Sequence, residues 1–98
     1  MKKPNIIYFH THDTGRYISP YGYGVPSPNY QRLAEEGLTF KRMHCVAPTC
    51  SPSRAGLLTG QYPSQNGMIS LAHRGGKLKD MSKHLIHTLK PNGYHTAL

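Results

Sequence analysis

Apolar residues in this chain come in short bursts separated by polar stretches marked by glycine and proline. The first burst, Asn5-Ile6-Ile7-Tyr8-Phe9, is continuous rather than alternating, the pattern of a strand covered on both faces in a parallel sheet. It ends in a polar cluster, His10-Thr11-His12-Asp13-Thr14-Gly15, at the carboxyl edge of that strand, where open α/β sheets bind ligands. Residues 16–26 hold Pro20, Gly22, Gly24 and Pro26 and read as loop. Ser27-Pro28 predicts a helix start, with Ser as N-cap and Pro at the first helical position. Tyr30, Leu33 and Ala34 give that helix its apolar stripe, and Gly37 stops it. Leu38 to Val46 is a second expected strand, with Leu38, Phe40 and Met43 inward. A turn over Ala47 to Pro52 leads into a helix that starts near Ser51-Pro52 and runs through Ala55, Leu57 and Leu58 to Gly60. Residues 61–79 read as loop.

Asp80 predicts a helix cap over Met81 to Lys90, where Met81, Leu85 and Leu89 recur every four residues. Pro91-Asn92-Gly93 ends it, and Tyr94 to Leu98 opens a third strand. Strand, helix, strand, helix, helix, strand is the order of an α/β layered fold. Because the last strand is cut short, residues 1–98 are expected to be a fragment of a larger protein.

Composition sharpens this picture. The chain has 98 residues, with 37% apolar residues, no Trp and two Phe, which is thin for an autonomous enzyme. Ten Gly and eight Pro are scattered between patterned segments, so the chain reads as loop-rich and globular rather than disordered. The formal charge is +8, and the stretch after Gly37 carries eight of the twelve basic residues and one of the four acids, Asp80. Such an excess favours anionic partners, or is offset by acids elsewhere in a larger protein. The two cysteines, Cys45 and Cys50, are too few for a disulfide framework and form no CxxC pair. The apolar run Ile6 to Phe9 is too short for a signal-peptide core or a membrane span. As the sequence stands, the expected location is the cytoplasm, unless a leader has been removed.

The candidate chemistry centres on Cys50. A cysteine at a helix amino end sits beside anion-attracting N–H groups, and Arg54 lies one helical turn further on. The alternative for a lone cysteine is a small packed side chain. The surrounding string, Cys50-Ser51-Pro52-Ser53-Arg54-Ala55-Gly56-Leu57-Leu58-Thr59-Gly60, resembles the signature of the type I sulfatases, C-x-P-S-R followed by A-x-L-L-T-G. Pro4 to Ile7 with Asp13 and Gly15 is similar to the family's opening strand and metal turn. Ser27-Pro28-Asn29 with Leu33, Ala34, Glu36 and Gly37 resembles its T-P-N-x-x-x-L-A-x-E-G helix, and Gln61-Tyr62-Pro63 and Asn66-Gly67-Met68 continue the likeness. The resemblance covers nearly the whole chain, and its flavour is that of the heparan N-sulfatase-like branch.

That resemblance implies the N-terminal portion of an alkaline-phosphatase-like sandwich, with a mostly parallel central sheet flanked by helices. It implies a sulfuric ester hydrolase in which Cys50 is oxidised by a separate formylglycine-generating or radical maturation enzyme to Cα-formylglycine. The hydrated aldehyde attacks sulfur through one hydroxyl, releasing the alcohol. The second hydroxyl then expels sulfate and regenerates the aldehyde. Arg54 is implied to hold the formylglycine hydroxyl and offset negative charge. Cys50, Pro52, Ser53 and Arg54 form the modification motif, with Pro52 and Arg54 as its main recognition positions, read in an unfolded segment.

A Ca²⁺ ion, alternatively Mg²⁺ or another divalent metal, is implied to bind residue 50 together with Asp13. The family presents two adjacent Asp after its first strand, whereas this chain has His12-Asp13. Either His12 is a neighbour and no ligand, or the site is poorer in charge, or the metal differs, since imidazole suits softer ions than calcium.

The remaining histidines, among them His84 and His87, show no ligand spacing and read as surface residues, and Cys45 reads as packed. His73-Arg74 in the basic loop is a weaker candidate for contact with a sulfated sugar. The family's leaving-group and later metal residues are not in this sequence, so the isolated chain is expected to be inactive. The expected substrate is a sulfated small molecule or carbohydrate, with no nucleic acid or membrane partner. Two alternatives stand beside this: a phosphonate or phosphate monoester hydrolase of the same superfamily, and a non-catalytic basic module binding nucleic acid through a helix bearing Lys77, Lys79, Lys83, Lys90, His84 and His87.

Overall fold

The computed structural model describes residues 3–97, which fall into two units, Met1–Met43 and His44–Leu98. In the first unit, helix α1 covers Pro28–Glu36, with Pro28 at its first position as the sequence predicts. Ser27 stands at the cap position, but its hydroxyl does not cap the helix. It accepts instead from the Ser19 N–H at 2.8 Å and pairs with the Ser19 hydroxyl at 2.8 Å. The bonds join α1 to a 3₁₀ turn over Ser19–Tyr21. Helical bonding still begins at Ser27, whose carbonyl accepts from the Gln31 N–H. The apolar stripe of α1 meets the segment after it, and Tyr30, Leu33, Ala34, Leu38 and Phe40 line an open hollow of about 280 Å³. The Tyr21 hydroxyl donates to the Phe40 carbonyl across its mouth.

The second unit is built on α2, Cys50–Thr59, which begins one residue earlier than expected. Pro52, Ala55 and Gly56 are buried on one side of it, the spacing of a single helical face. Gly56 is required there: a Cβ at this position would overlap the Val46 side chain. The helix ends at Gly60 in the left-handed conformation (φ 67°), whose N–H donates to the Gly56 carbonyl. A short helix α3, Pro63–Asn66, follows inside the segment expected to be loop. Its signals are present in the sequence: Pro63 opens it, and Gln65 reaches back to accept the Tyr62 N–H at 2.9 Å.

Asn66 is the buried polar hub of this unit, at 3% exposure. Its amide donates to the Gln61 carbonyl at 3.1 Å and to the Thr59 hydroxyl at 3.4 Å, while its side-chain oxygen accepts the Met68 N–H at 2.8 Å. Its own carbonyl accepts from the Lys79 N–H. Asn66→Ala removes the side-chain bonds and leaves the half-buried Gln61 carbonyl and Met68 N–H without these partners, so a loss of about 1–2 kcal/mol is expected. The check is chemical denaturation of the whole polypeptide as its gene encodes it, with a lowered midpoint at unchanged slope.

The continuous helix expected over residues 81–90 is not formed. Asp80 does cap a start, accepting from the Ser82 N–H, and hydrogen bonding from the Ser82 hydroxyl, followed by that N–H, holds its carboxyl below the ordinary aspartate range. Only a 3₁₀ turn, Met81–Lys83, follows before His84 turns extended (φ −68°, ψ 139°). The Leu85 N–H is taken by the Leu58 carbonyl at the end of α2, a tertiary bond that overrides the local periodicity. Helix α4, Ile86–Leu89, then runs into a last 3₁₀ turn over Lys90–Asn92.

Among the described residues none is paired into a β-strand. The segments expected as strands, 5–9, 38–46 and the described part of 94–98, are irregular, and Leu98 lies outside the described residues. A strand is stabilised by backbone pairing with neighbours and by cover on its faces. Here Ile7 and Leu38 stand 89% and 87% exposed, and Pro52 and Ala55 are the only buried apolar side chains among the described residues. No helix among the described residues is long and apolar enough to cross a membrane.

Candidate nucleophile site

Cys50 is the first residue of α2 and is a free, exposed cysteine. Thr49 precedes it in extended conformation and makes no side-chain cap. The amino end of the helix therefore presents the N–H groups of Cys50 and Ser51, which have no carbonyl a turn earlier to bond within the helix. Pro52, two residues after Cys50, has no N–H to leave unpaired, and it is buried against the unit. Arg54 is exposed four residues after Cys50. Arg54 thus shares a helical face with Cys50, and its charge adds to the positive potential of the N–H groups at this helix end. This arrangement suits a nucleophile that meets a tetrahedral anion, as the sequence spacing suggests.

A further contact was not foreseen. The Ser51 hydroxyl accepts the backbone N–H of Ala72 at 3.1 Å, bringing a basic 3₁₀ turn, Ala72–Arg74, to the nucleophile end of α2. Ser53 is half-buried on the same helix, and its N–H donates to the Thr49 carbonyl.

The proposed metal residues lie in the other unit. His12 Nδ1 stands 3.2 Å from Asp13 Oδ2, and the side chains are 66% and 82% exposed. Asp13 occupies the left-handed region (φ 52°), uncommon for a residue other than glycine. Among the described residues no group of three or more His, Cys, Asp or Glu is placed to hold a metal ion. One carboxylate and one imidazole fall short of the six to eight oxygen ligands that calcium takes. The pair contributes at most part of such a site.

The other histidines take structural or solvent-facing places. His10 stacks on Tyr8 with ring centroids 5.7 Å apart, and His84 Nδ1 accepts the Ile86 N–H at 3.3 Å. The basic helix needed for phosphate contact does not exist as one element, because the chain breaks at His84. Its lysines are therefore not aligned along a single helical face.

Comparison with known proteins agrees with the signature. The Sulfatase family model matches residues 4–98. A "Sulfatase" of Formosa agariphila is 35% identical over 102 residues, covering 96% of this chain and 20% of that protein. The human "N-acetylgalactosamine-6-sulfatase" is 41% identical over 85 residues, covering 74% of this chain and 16% of its own length. The "N-acetylglucosamine-6-O-sulfatase" of Bacteroides thetaiotaomicron is 36% identical over 100 residues, covering 99% and 17%. The chain thus spans about a fifth or less of the length of these curated relatives. No solved structure matches it significantly.

Proposed function

Because the chain belongs to the sulfatase family, we propose that it is the nucleophile-bearing segment of a sulfuric ester hydrolase. The observation that carries this reading is the placement of Cys50, exposed at the first position of α2 with Arg54 one turn on. Oxidised to formylglycine by a maturation enzyme, residue 50 would supply a hydrated aldehyde as nucleophile. The surroundings fit that group, since the Cys50 side chain is exposed and has no hydrogen-bond or disulfide partner among the described residues.

Arg54 then holds the formylglycine hydroxyl and offsets the negative charge on the group under attack. The N–H groups of Cys50 and Ser51 orient the same anion at the helix end. Asp13 belongs to this proposal as an oxygen ligand of Ca²⁺ or Mg²⁺, and His12 as a neighbour whose ring stands against its carboxylate. The pair alone does not complete an ion site, so the chemistry assigned to this chain rests on residues 50, 51 and 54. The alkaline-phosphatase-like sheet is part of the same reading: the uncovered runs at 5–9 and 38–46 would pair as strands within a complete catalytic domain. The named relatives include two sulfatases of amino sugars. With the heparan N-sulfatase-like flavour of the signature, they support a sulfated carbohydrate as substrate.

The test is mass spectrometry of the Cys50 peptide after co-expression of the encoded polypeptide with a maturation enzyme. It is paired with turnover of a chromogenic aryl sulfate and of a matched phosphonate ester. Replacement of the thiol by an aldehyde, with faster sulfate turnover, is the expected result. An unmodified cysteine with no sulfate turnover overturns the reading, and faster phosphonate turnover moves it to the sister activity.

A further inference from the structure

The turn tethered to Ser51 does more than fill a loop. It is a built element: the Arg74 and Gly76 N–H groups both donate to the Leu71 carbonyl, and the Gly75 N–H donates to that of Ala72. Gly76 allows the closure, because a Cβ there would overlap the Ser70 carbonyl. The Ala72 N–H, at the open end of the 3₁₀ turn, is satisfied by the hydroxyl next to the nucleophile, across 21 positions of sequence. With 3.8 Å between successive Cα atoms, that bond holds the Ala72 backbone within about 10 Å of the Cys50 Cα. His73 and Arg74 are exposed, and neither side chain has a hydrogen-bond or ion-pair partner among the described residues. The stretch around them is basic, with Asp80 its single acid. The turn thus carries two exposed donor residues on a backbone held near a site that already has Arg54 for the reacting group.

We propose that Ser51 is a positioning residue that holds the Ala72–Arg74 turn at the mouth of the site, where His73 and Arg74 bind a second anionic group of a multiply sulfated saccharide. This rests on the sulfatase reading and adds a preference to it. The ester that reacts faces Cys50 and Arg54, while a neighbouring sulfate or carboxylate on the same sugar chain is held by the turn. Arg74 supplies a planar fork of donors suited to either anion.

The experiment compares kcat and KM on a monosulfated and a multiply sulfated oligosaccharide, using the encoded polypeptide after maturation. Wild type should favour the multiply sulfated substrate about tenfold in kcat/KM through KM, and R74A should abolish that preference while kcat on the same substrate stays within about twofold. S51A should raise KM for it about fivefold, and S51T, which restores the hydroxyl, should recover it. The double variant S51A/R74A should be no worse than R74A, because both act through one contact. A wild type without preference, an R74A that retains it, or additive effects of the two substitutions overturns the proposal.

Binding of the multiply sulfated oligosaccharide is measured separately by calorimetry in the C50A background, where turnover is absent. R74A weakening binding about tenfold supports the subsite even if no sulfate ester is hydrolysed, in which case the sulfatase reading alone falls. Turnover of sulfate esters with binding indifferent to R74A sinks the subsite alone.

Discussion

Replacing Cys50 by Ala is expected to lower sulfate-ester turnover by about 10⁴-fold or more, the scale seen when a covalent nucleophile is removed. The fold should not register the change. Cys50 is exposed at the first position of α2, and the faces that hold this helix are those of Pro52, Ala55 and Gly56. The expected pair of results is therefore near-complete loss of kcat with an unaltered thermal midpoint. A fall in both would mean that Cys50 is a packing residue and the nucleophile lies elsewhere. The mass-spectrometric signature of the aldehyde should vanish with the same substitution. The two measurements tie modification and turnover to one side chain.

The second large effect is expected at Arg54. Arg54→Ala should cost about 10²–10³ in kcat, the range for removing one preorganised donor from a charge that develops during reaction. Arg54→Lys tests the geometry as well as the charge. Lysine keeps the positive charge but loses the rigid pair of donors, so it should recover only part of the rate. Because Arg54 is also expected to be read by the maturation enzyme, the modified fraction of each variant must be measured and kcat normalised to it. If the loss disappears on normalisation, Arg54 serves recognition and not turnover.

Much of the helical framework was legible in the sequence. Ser27-Pro28 and the stripe Tyr30, Leu33, Ala34 locate α1, and the string after Cys50 locates α2 to within one residue. These segments carry their own start signals and enough apolar repetition to be read locally. What escaped depends on distant partners. The break at His84 is set by a carbonyl on α2, and the bond from Ala72 to Ser51 joins a loop backbone to a side chain that local patterning would leave in solvent. The strands depend on partners in the extreme: Ile6 to Phe9 has the composition of a covered strand, but composition supplies no neighbouring backbone to bond. The start signals of α3, Pro63 and the Gln65 side chain that accepts the Tyr62 N–H, stand in the sequence, but the helix is too short to show periodicity.

For the candidate site, residue spacing alone places Cys50 and Arg54 one turn apart on a single helix, and α2 has them there. Spacing is insufficient for His12 and Asp13, where the structure adds a direct contact between the two side chains. The contact pairs the imidazole with the carboxylate directly, an arrangement that the order His12-Asp13 in the sequence does not by itself require.

The burial of Pro52 has one more consequence. An enzyme that must grasp this proline as part of an extended peptide finds it only before α2 docks against the rest of its unit. If residue 50 is matured as proposed, activation and folding are competing clocks. A substitution that slows docking, even at some loss of stability, should raise the proportion of molecules carrying the aldehyde, and one that hastens docking should leave more of them permanently inert.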